Sequence, residues 1–468
     1  MKLERIIEGT GAVILRGTAE TEITTICSDS RKACPGSLFI AVRGFAADGH
    51  DYADAAIRAG ASAVISADRR SLALCAANFY GHPSKKLKLA GITGTNGKTT
   101  TVTLLYHFFT GLGYSCGLLS TIANYVGKRR SETANTTADP ITINSLMAEM
   151  VKEGCEFCFM EVSSIGVEQE RVTGLDFDVA IFSNLTHDHL DYHGTFAEYL
   201  RCKKLFFDRL PAKATALINI DDRNGNVMVQ NTSAKVVTYS CRNVADHCCR
   251  VLEQSFDGML LRMDGTEAWT KLIGWHNAYN LLAIYSTAVV FGVDSTEALT
   301  VMSTLAPAPG RLETLRGPGD ISVVIDYAHT PDALENVLGT LRTICPDREL
   351  VCLFGCGGDR DRTKRPEMAK IAASKADRIF VTSDNVRTEN PLGIIDDIRK
   401  GFDVTGLRKT VFITDRKEAI RTAIMTAREG STILLAGKGH ETYQIIGTEH
   451  IHFDEREIVK ETFDNLGQ

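Results

Sequence analysis

Gly94-Thr95-Asn96-Gly97-Lys98-Thr99-Thr100 has the residue types and spacing of a triphosphate-binding loop. In such a loop the glycines let backbone N–H groups approach phosphate oxygens, and a helix N-terminus favours their charge. The lysine reaches the β and γ oxygens, and the threonine holds Mg2+. An apolar run over 87–92 precedes the loop and a helical pattern over 101–112 follows it, which is the order this chemistry needs. Ile92 stands where the longer form of the motif has glycine, so this loop is a short G-x-x-G-K-T-T.

Further chemistry-bearing residues recur downstream. Glu161 falls at the end of the apolar run 157–162. Ligands of open α/β sheets bind beyond the carboxyl ends of the strands, so a carboxylate there is a natural Mg2+ ligand; the alternative is a hydrogen-bonded or salt-bridged glutamate. His187-Asp188-His189-Leu190-Asp191-Tyr192-His193 nearly matches the H-x-H-x-D-H of binuclear metallo-hydrolases, with Tyr192 inserted before the last histidine; a surface histidine cluster is the alternative. Lys203 and Lys204 lie in a helical run over 198–210 and by pattern read as a solvated helix face. Three polar loops follow apolar runs late in the chain: Gly355 to Asp361 with Arg360, Asp384-Asn385-Val386-Arg387, and Gly437-Lys438-Gly439-His440-Glu441. On one edge of a parallel sheet they would form a pocket, in which glycines permit close approach and Arg360 could hold a carboxylate or phosphate.

The elements that must position these residues follow from periodicity. Residues 1–88 read as a small α/β unit, with strands at 37–42 and 61–66, a helix at 52–59 and a linker at 82–86. Residues 89–308 alternate strands (116–119, 157–162, 179–182, 216–220) with helices (141–152, 198–210), a parallel sheet covered on both faces. The stretch 236–273, with turns at Asp257-Gly258 and Asp264-Gly265, reads as antiparallel hairpins, and a helix over 277–290 follows. After a Pro/Ala linker at 306–310, residues 309–468 resume the alternation with strands at 323–325, 350–354, 378–382, 411–413 and 432–435, a Rossmann-like pattern. The expected fold is therefore α/β in three domains: a small N-terminal unit, a central P-loop ATPase-like sheet with added antiparallel strands, and a C-terminal Rossmann-like unit.

Bulk composition narrows the function. In 468 residues the net charge is −6, so no global basic field attracts nucleic acid or membrane, and anionic substrates must be met by local arginines and lysines. The charged opening Met1-Lys2-Leu3-Glu4-Arg5 lacks a signal-peptide core, and no apolar run approaches the ~20 residues of a membrane span. A cytoplasmic location is expected. The 13 cysteines are scattered, and Cys155-x-x-Cys158 runs into a buried-strand pattern with no second pair, so free buried thiols are expected.

Six motifs, together with flanking Ser28-Asp29-Ser30-Arg31 and Phe453-Asp454-Glu455-Arg456, go further. They are the phosphate loop, Asn135-Thr136-Thr137, Glu161-Val162-Ser163-Ser164, Asn184-Leu185-Thr186 with Asp188-His189, Asp326 to Asp332, and Ala436 to Glu441. Through them nearly the whole chain resembles the Mur ligase family, the ATP-dependent amino-acid ligases of peptidoglycan precursor synthesis. It is most similar to the tripeptide-forming branch. The resemblance implies addition of meso-2,6-diaminopimelate to UDP-N-acetylmuramoyl-L-alanyl-D-glutamate through an acyl phosphate. It implies a UDP-sugar-binding N-terminal domain, a central ATP-binding domain and a C-terminal domain that brings the amino acid. By position, Ser28, Ser30, Phe45, Ala46 and Ala47 would meet the UDP end. Asn135, Thr136, Thr137, Ser163, Gln169 and Arg171 would meet the pyrophosphate and muramoyl-peptide. ATP would contact the whole phosphate loop, Asn280, Arg311, Asp326 and His329. Thr99, Glu161, His189 and Lys203 would serve Mg2+, with Lys203 carrying a carbamate, and Lys98, Glu161, His189 and Lys203 would be catalytic. Arg360, Asp384, Asn385, Val386, Arg387, Gly437 and Glu441 would bind diaminopimelate. The implied partners are small molecules acting on a monomer.

Two positions depart from the pattern: Ile165 replaces a histidine found in many relatives, and Val386 replaces the proline of D-N-P-R. The competing readings are L-lysine as the third amino acid, a polyglutamate-type ligase, and a metallo-hydrolase built on the 187–193 cluster. A regulatory GTPase is disfavoured, because no Asn-Lys-x-Asp guanine-reading motif is present.

Overall fold

The structure is a computed structural model that describes residues 1–44, 47–133, 135–186 and 190–466, with Leu190 and Asp191 described in backbone only. Phe45, Ala46, His187, Asp188 and His189 therefore lie outside the described residues. Among the described residues no helix is long and apolar enough to cross a membrane.

The first sheet has the order Val13–Arg16, Ala63–Ala67, Ser37–Val42, Thr25–Cys27, with the last three strands parallel. Ser28 and Ala47 follow the carboxyl ends of two parallel neighbours, Thr25–Cys27 and Ser37–Val42, so they share one edge. Residues 82–86 are not an open linker: Pro83–Lys86 forms a 3-10 turn with Pro83 and Ser84 buried, and Ser84 Oγ accepts a hydrogen bond from Asp176 N at 3.1 Å.

The central sheet is built around Lys88–Thr93, which lies between Val179–Phe182 and Phe157–Glu161, parallel to both. These strands are apolar at nearly every position because both faces are covered. Ile92, Phe159 and Ile181 pack on one side, and Leu89, Met160 and Phe182 on the other. The parallel part continues through Thr215–Asn219 to Lys235–Ser240. This corrects the expectation of hairpins throughout 236–273. The short helix Gly225–Met228 carries the chain back across the sheet, so Lys235–Ser240 adds a parallel strand, and antiparallel pairing begins only with His247–Ser255, Gly258–Met263 and Thr266–Thr270. A further hairpin, Asn124–Val126 with Arg129–Ser131, extends the other edge. Its strands are too short to leave a periodic signal.

The last large sheet has the order Glu313–Arg316, Ser322–Asp326, Thr432–Ala436, Leu350–Phe354, Arg378–Val381, Thr410–Phe412. All pairs are parallel except the first. The three polar loops thus do leave one edge of one sheet. A hairpin of Tyr443–Ile446 and Glu449–His452 lies beside them. The cysteines are free thiols, all buried except exposed Cys34 and half-buried Cys248.

Candidate active site

The phosphate loop joins Lys88–Thr93 to the helix Lys98–Gly111, which begins at the lysine itself, earlier than its apolar pattern suggested. Gly97 precedes it at φ +88°, and a Cβ there would lie 2.5 Å from Asn280 Oδ1. At Gly94 a Cβ would lie 1.9 Å from Ser183 Oγ. Only glycine fits either place. The segment after Val179–Phe182 pins the loop: Asn184 Oδ1 accepts from Asn96 N at 2.9 Å, and Ser183 Oγ donates to Asn96 O at 2.8 Å. Lys98 Nζ donates to Gly94 O and Thr95 O, both at 2.8 Å.

Glu161 is buried at the end of Phe157–Glu161. Its Oε1 accepts from Thr121 N at 2.8 Å, while Oε2 is buried without a partner among the described residues. An orphaned carboxylate oxygen at this depth costs several kcal/mol unless a cation meets it. The hydrogen-bonded alternative therefore accounts for only half of this side chain. Thr99 and Lys203 line the same cavity of about 300 Å3. Lys203 corrects the reading as a solvated helix face. It is 1% exposed, its Nζ donates to Gly94 O at 2.8 Å, and it lies over the Tyr199 ring at 4.7 Å. The helix Phe196–Asp208 turns this residue against the phosphate loop, while the half-buried Lys204 points to Asp208. The donor set suits Mg2+, a hard cation that takes oxygen ligands. Among the described residues there is no cluster of His, Cys, Asp or Glu able to hold a metal alone, and His189 lies outside them. His193, from the same segment, is buried with Nε2 2.9 Å from Ser164 Oγ.

Asn135, Thr136, Thr137, Ser163 and Arg171 line this cavity too. Thr137 Oγ1 donates to Glu161 O at 2.9 Å and accepts from Ser163 N at 3.0 Å, and Arg171 Nη1 donates to Thr137 O at 2.6 Å. Gln169 stands behind, its Oε1 accepting from Arg171 Nη2 at 2.7 Å. Ser28, Ser30 and Ala47 do not line it; they sit at the edge of the N-terminal sheet.

A neighbouring cavity of about 380 Å3 runs from Gly97 and Thr100 past Asn280 to Arg311 and Asp326. Asn280 Nδ2 donates to Asn277 Oδ1 at 3.0 Å. The Arg311 guanidinium lies over the Tyr327 ring at 5.0 Å. Asp326 Oδ2 accepts from Leu312 N at 2.8 Å; burial pushes this carboxyl up, against the opposing pull of Arg311. Sequence reasoning missed Trp275, His276 and Tyr279 on this wall. Burial, then the Arg311 charge, lowers His276 to about 4, which keeps it neutral. Sequence reasoning also missed the bridge from Asn96 Nδ2 to Asp332 Oδ2 at 2.8 Å, which ties the phosphate loop to the first turn of the helix Pro331–Ile344.

The third cavity, about 460 Å3, is lined by Arg360, Asp384, Asn385, Arg387, Gly437 and Glu441, all expected together. Val386 is the exception. Its side chain packs in the hydrophobic core beside Ile394 and Met368 and does not line the cavity. Asn385 and Arg387 on either side of it line the cavity, while Val386 turns into the core. Arg387 sits at φ +50° and its Nη1 donates to Gly358 O at 3.0 Å. His329, expected among the ATP contacts, lines the phosphate-loop cavity and also this one, with Ile165, Tyr327 and Thr330. Its Nδ1 lies 2.8 Å from Tyr327 O, while Asp326, three residues earlier at the end of Ser322–Asp326, lines the cavity beside Asn280.

Known proteins match along the whole chain. The domain described as "Mur ligase family, catalytic domain" matches residues 22–92, "Mur ligase middle domain" residues 92–288, and "Mur ligase, glutamate ligase domain" residues 310–439. The UDP-N-acetylmuramoyl-L-alanyl-D-glutamate--2,6-diaminopimelate ligase of Cytophaga hutchinsonii is 47% identical, over 100% of this chain and 100% of that protein. The protein of that name from Parabacteroides distasonis is 48% identical over 99% of each chain. A solved structure of a ligase with this name superposes with a TM-score of 0.72 at 32% identity, covering 100% of this chain and 99% of the other.

Proposed function

The chain belongs to the Mur ligase family of ATP-dependent ligases, and on that premise we propose that it joins meso-2,6-diaminopimelate to UDP-N-acetylmuramoyl-L-alanyl-D-glutamate in the cytoplasm. One observation carries this reading: the three cavities share walls. Asn96, Gly97 and Arg311 line both the nucleotide and phosphate-loop cavities, and Ile165, Tyr327, His329 and Thr330 line both the phosphate-loop and acceptor cavities. A triphosphate, a carboxylate and an amine held in these three places would meet at one point.

The chemistry follows. A carboxylate is a poor electrophile, so its oxygen first takes the γ-phosphoryl group of ATP and ADP leaves. The amine then attacks the acyl phosphate carbon, phosphate departs with the bonding pair, and an amide remains. Lys98 and the N-terminus of its helix would neutralise the transferring group. Arg171 and Asn135 to Thr137 would hold the sugar-peptide. Apolar Ile165 at the junction would keep water from the acyl phosphate. Mg2+ held by Thr99, Glu161, His189 and Lys203 would supply charge neutralisation at the phosphoryl oxygens. Lys203 would act as its carbamate: the N–H that survives modification can still reach Gly94 O, and the new carboxylate enters the cavity. Residues 1–88, 89–308 and 309–468 would bring the UDP end, ATP and the amino acid respectively.

The test is phosphate release. Brisk turnover should require ATP, Mg2+, the UDP-muramoyl-dipeptide and an acceptor amine together. Equal hydrolysis without either acceptor would assign the site to a motor or regulatory ATPase.

Acceptor choice is a second expected result. Diaminopimelate and L-lysine differ by one carboxylate at the far end of the side chain. Gly358 O orients the Arg387 guanidinium through Nη1, leaving the rest of its fork for that carboxylate. Lysine would bring an ammonium there instead. A contact of this kind is worth ~1.5–3 kcal/mol, so diaminopimelate should be preferred by roughly 10- to 150-fold, and Arg387→Ala should erase most of the preference. If the parent protein turns over L-lysine as well as either diaminopimelate isomer, this cavity is misassigned.

A further inference from the structure

Lys438 has no role in the reading above, and it does not line the acceptor cavity. Its side chain is 0% exposed, yet it carries an ammonium. Its hydrogen-bond and ion-pair partners line that cavity, and the rings of Tyr443 and Phe453 flank it at 5.8 and 5.9 Å. Nζ donates to Asn385 Oδ1 at 3.0 Å and to Glu441 Oε2 at 3.0 Å, and lies 3.5 Å from Asp384 Oδ1. The partners come from two loops, after Arg378–Val381 and after Thr432–Ala436, so this one group ties the loops together.

The contacts decide which way the Asn385 amide points. Free to turn, an amide would exchange its donor and acceptor ends. Here Lys438 Nζ and Ile445 N, the latter at 2.9 Å, both donate to Oδ1, which leaves Nδ2 to donate to Glu441 Oε2 at 2.9 Å. The adjoining hairpin fastens the same loop: Gln444 Nε2 donates to Asp384 O at 2.9 Å, Arg387 N to Ile445 O at 3.1 Å, and Gly447 N to Arg387 O at 2.8 Å. Burial by itself would push the Asp384 carboxyl up, but the charges of Lys438 and Arg416 hold it below the usual carboxylate range. Asp384 and Glu441 therefore stand together on the cavity wall, with Lys438 behind them.

We propose that Lys438 is a positioning residue for the acceptor amino acid. By orienting Asn385 and pairing Asp384 with Glu441, it holds the Asp384–Arg387 loop in its binding geometry. Val386 cannot fix the loop as proline would; tertiary contacts fix it from behind. This inference rests on reading the third cavity as the acceptor site.

The test compares Glu441→Gln with Lys438→Met/Glu441→Gln. The double variant removes one buried cation and one buried anion, so the net charge of the cluster is unchanged, Arg416 still faces Asp384, and the variant should fold. Steady-state kinetics then give KM for the acceptor and for ATP. Acceptor KM should be about 10-fold or more higher in the double variant than in Glu441→Gln, with ATP KM within about twofold. Equal acceptor KM in the two variants, or a parallel rise in ATP KM, overturns the proposal. The acceptor used is whichever amino acid the parent turns over, so an unexpected acceptor revises the substrate assignment while leaving this comparison intact. A parent that accepts no amino acid overturns both.

Discussion

Lys203→Ala should lose turnover by about 100-fold or more and recover part of it in acetate or propionate. A carbamate oxygen that positions the metal is worth several kcal/mol in phosphoryl transfer. The alanine leaves a space between Gly94 and Glu161 in which a small carboxylate can stand in for the missing group, since Lys203 occupies that cavity wall together with Glu161 and Thr99. Unmodified, an ammonium there would repel the cation. Lys204→Ala is the matched control: Lys204 pairs with Asp208 and does not line the cavity, so its loss should change turnover by no more than about twofold. Isotopically labelled bicarbonate gives an independent readout, a carbamate carbon signal present in the parent and missing in Lys203→Ala. Full activity of Lys203→Ala, or loss that no carboxylate restores together with no carbamate signal, would reject carbamylation.

Glu161→Gln should fold normally and be nearly inactive. The glutamine oxygen can keep the hydrogen bond from Thr121 N, and the amide replaces the buried Oε2 that has no partner. Removing an unpaired buried charge does not destabilise a fold, so thermal stability without Mg2+ should be equal or higher. Turnover, by contrast, loses an anionic metal ligand and should fall about 1000-fold, because metal neutralisation contributes several kcal/mol to such a transition state. Measuring Tm with and without Mg2+ separates the two effects: Mg2+ should raise the Tm of the parent and leave that of Glu161→Gln unmoved. A sharp drop in Tm without Mg2+ would make Glu161 a structural residue, and undiminished turnover would exclude it as a ligand.

The parts of the site that sequence reasoning located are those whose chemistry is contiguous. The phosphate loop holds its glycines, lysine and threonine within one turn, between a strand and a helix that the hydrophobic pattern delimits. Glu161 was found because a carboxylate ending a buried strand is rare and such strands end where ligands bind. The third cavity was legible because three loops that each follow a parallel strand must leave the same edge.

What periodicity could not reveal is which neighbour each face meets. Lys203 and Lys204 are adjacent residues of one helix with the same chemistry, and only tertiary docking sends the first to Gly94 at the cavity and the second, half-buried, to Asp208. Val386 sits between two cavity residues yet packs in the core, because a neighbouring helix supplies apolar partners. His329 lies only three residues after Asp326, but it lines the phosphate-loop and third cavities while Asp326 lines the cavity beside Asn280. By itself, then, the sequence determined the order of the elements, the phosphate loop and the set of loops able to form a pocket, because these depend on local pattern and on the direction of parallel strands. Tertiary structure alone decided which side chains are buried, which loops share a wall, and where Lys438 places its charge. Those depend on contacts between residues far apart in the chain, such as the 53 positions separating Lys438 from Asn385.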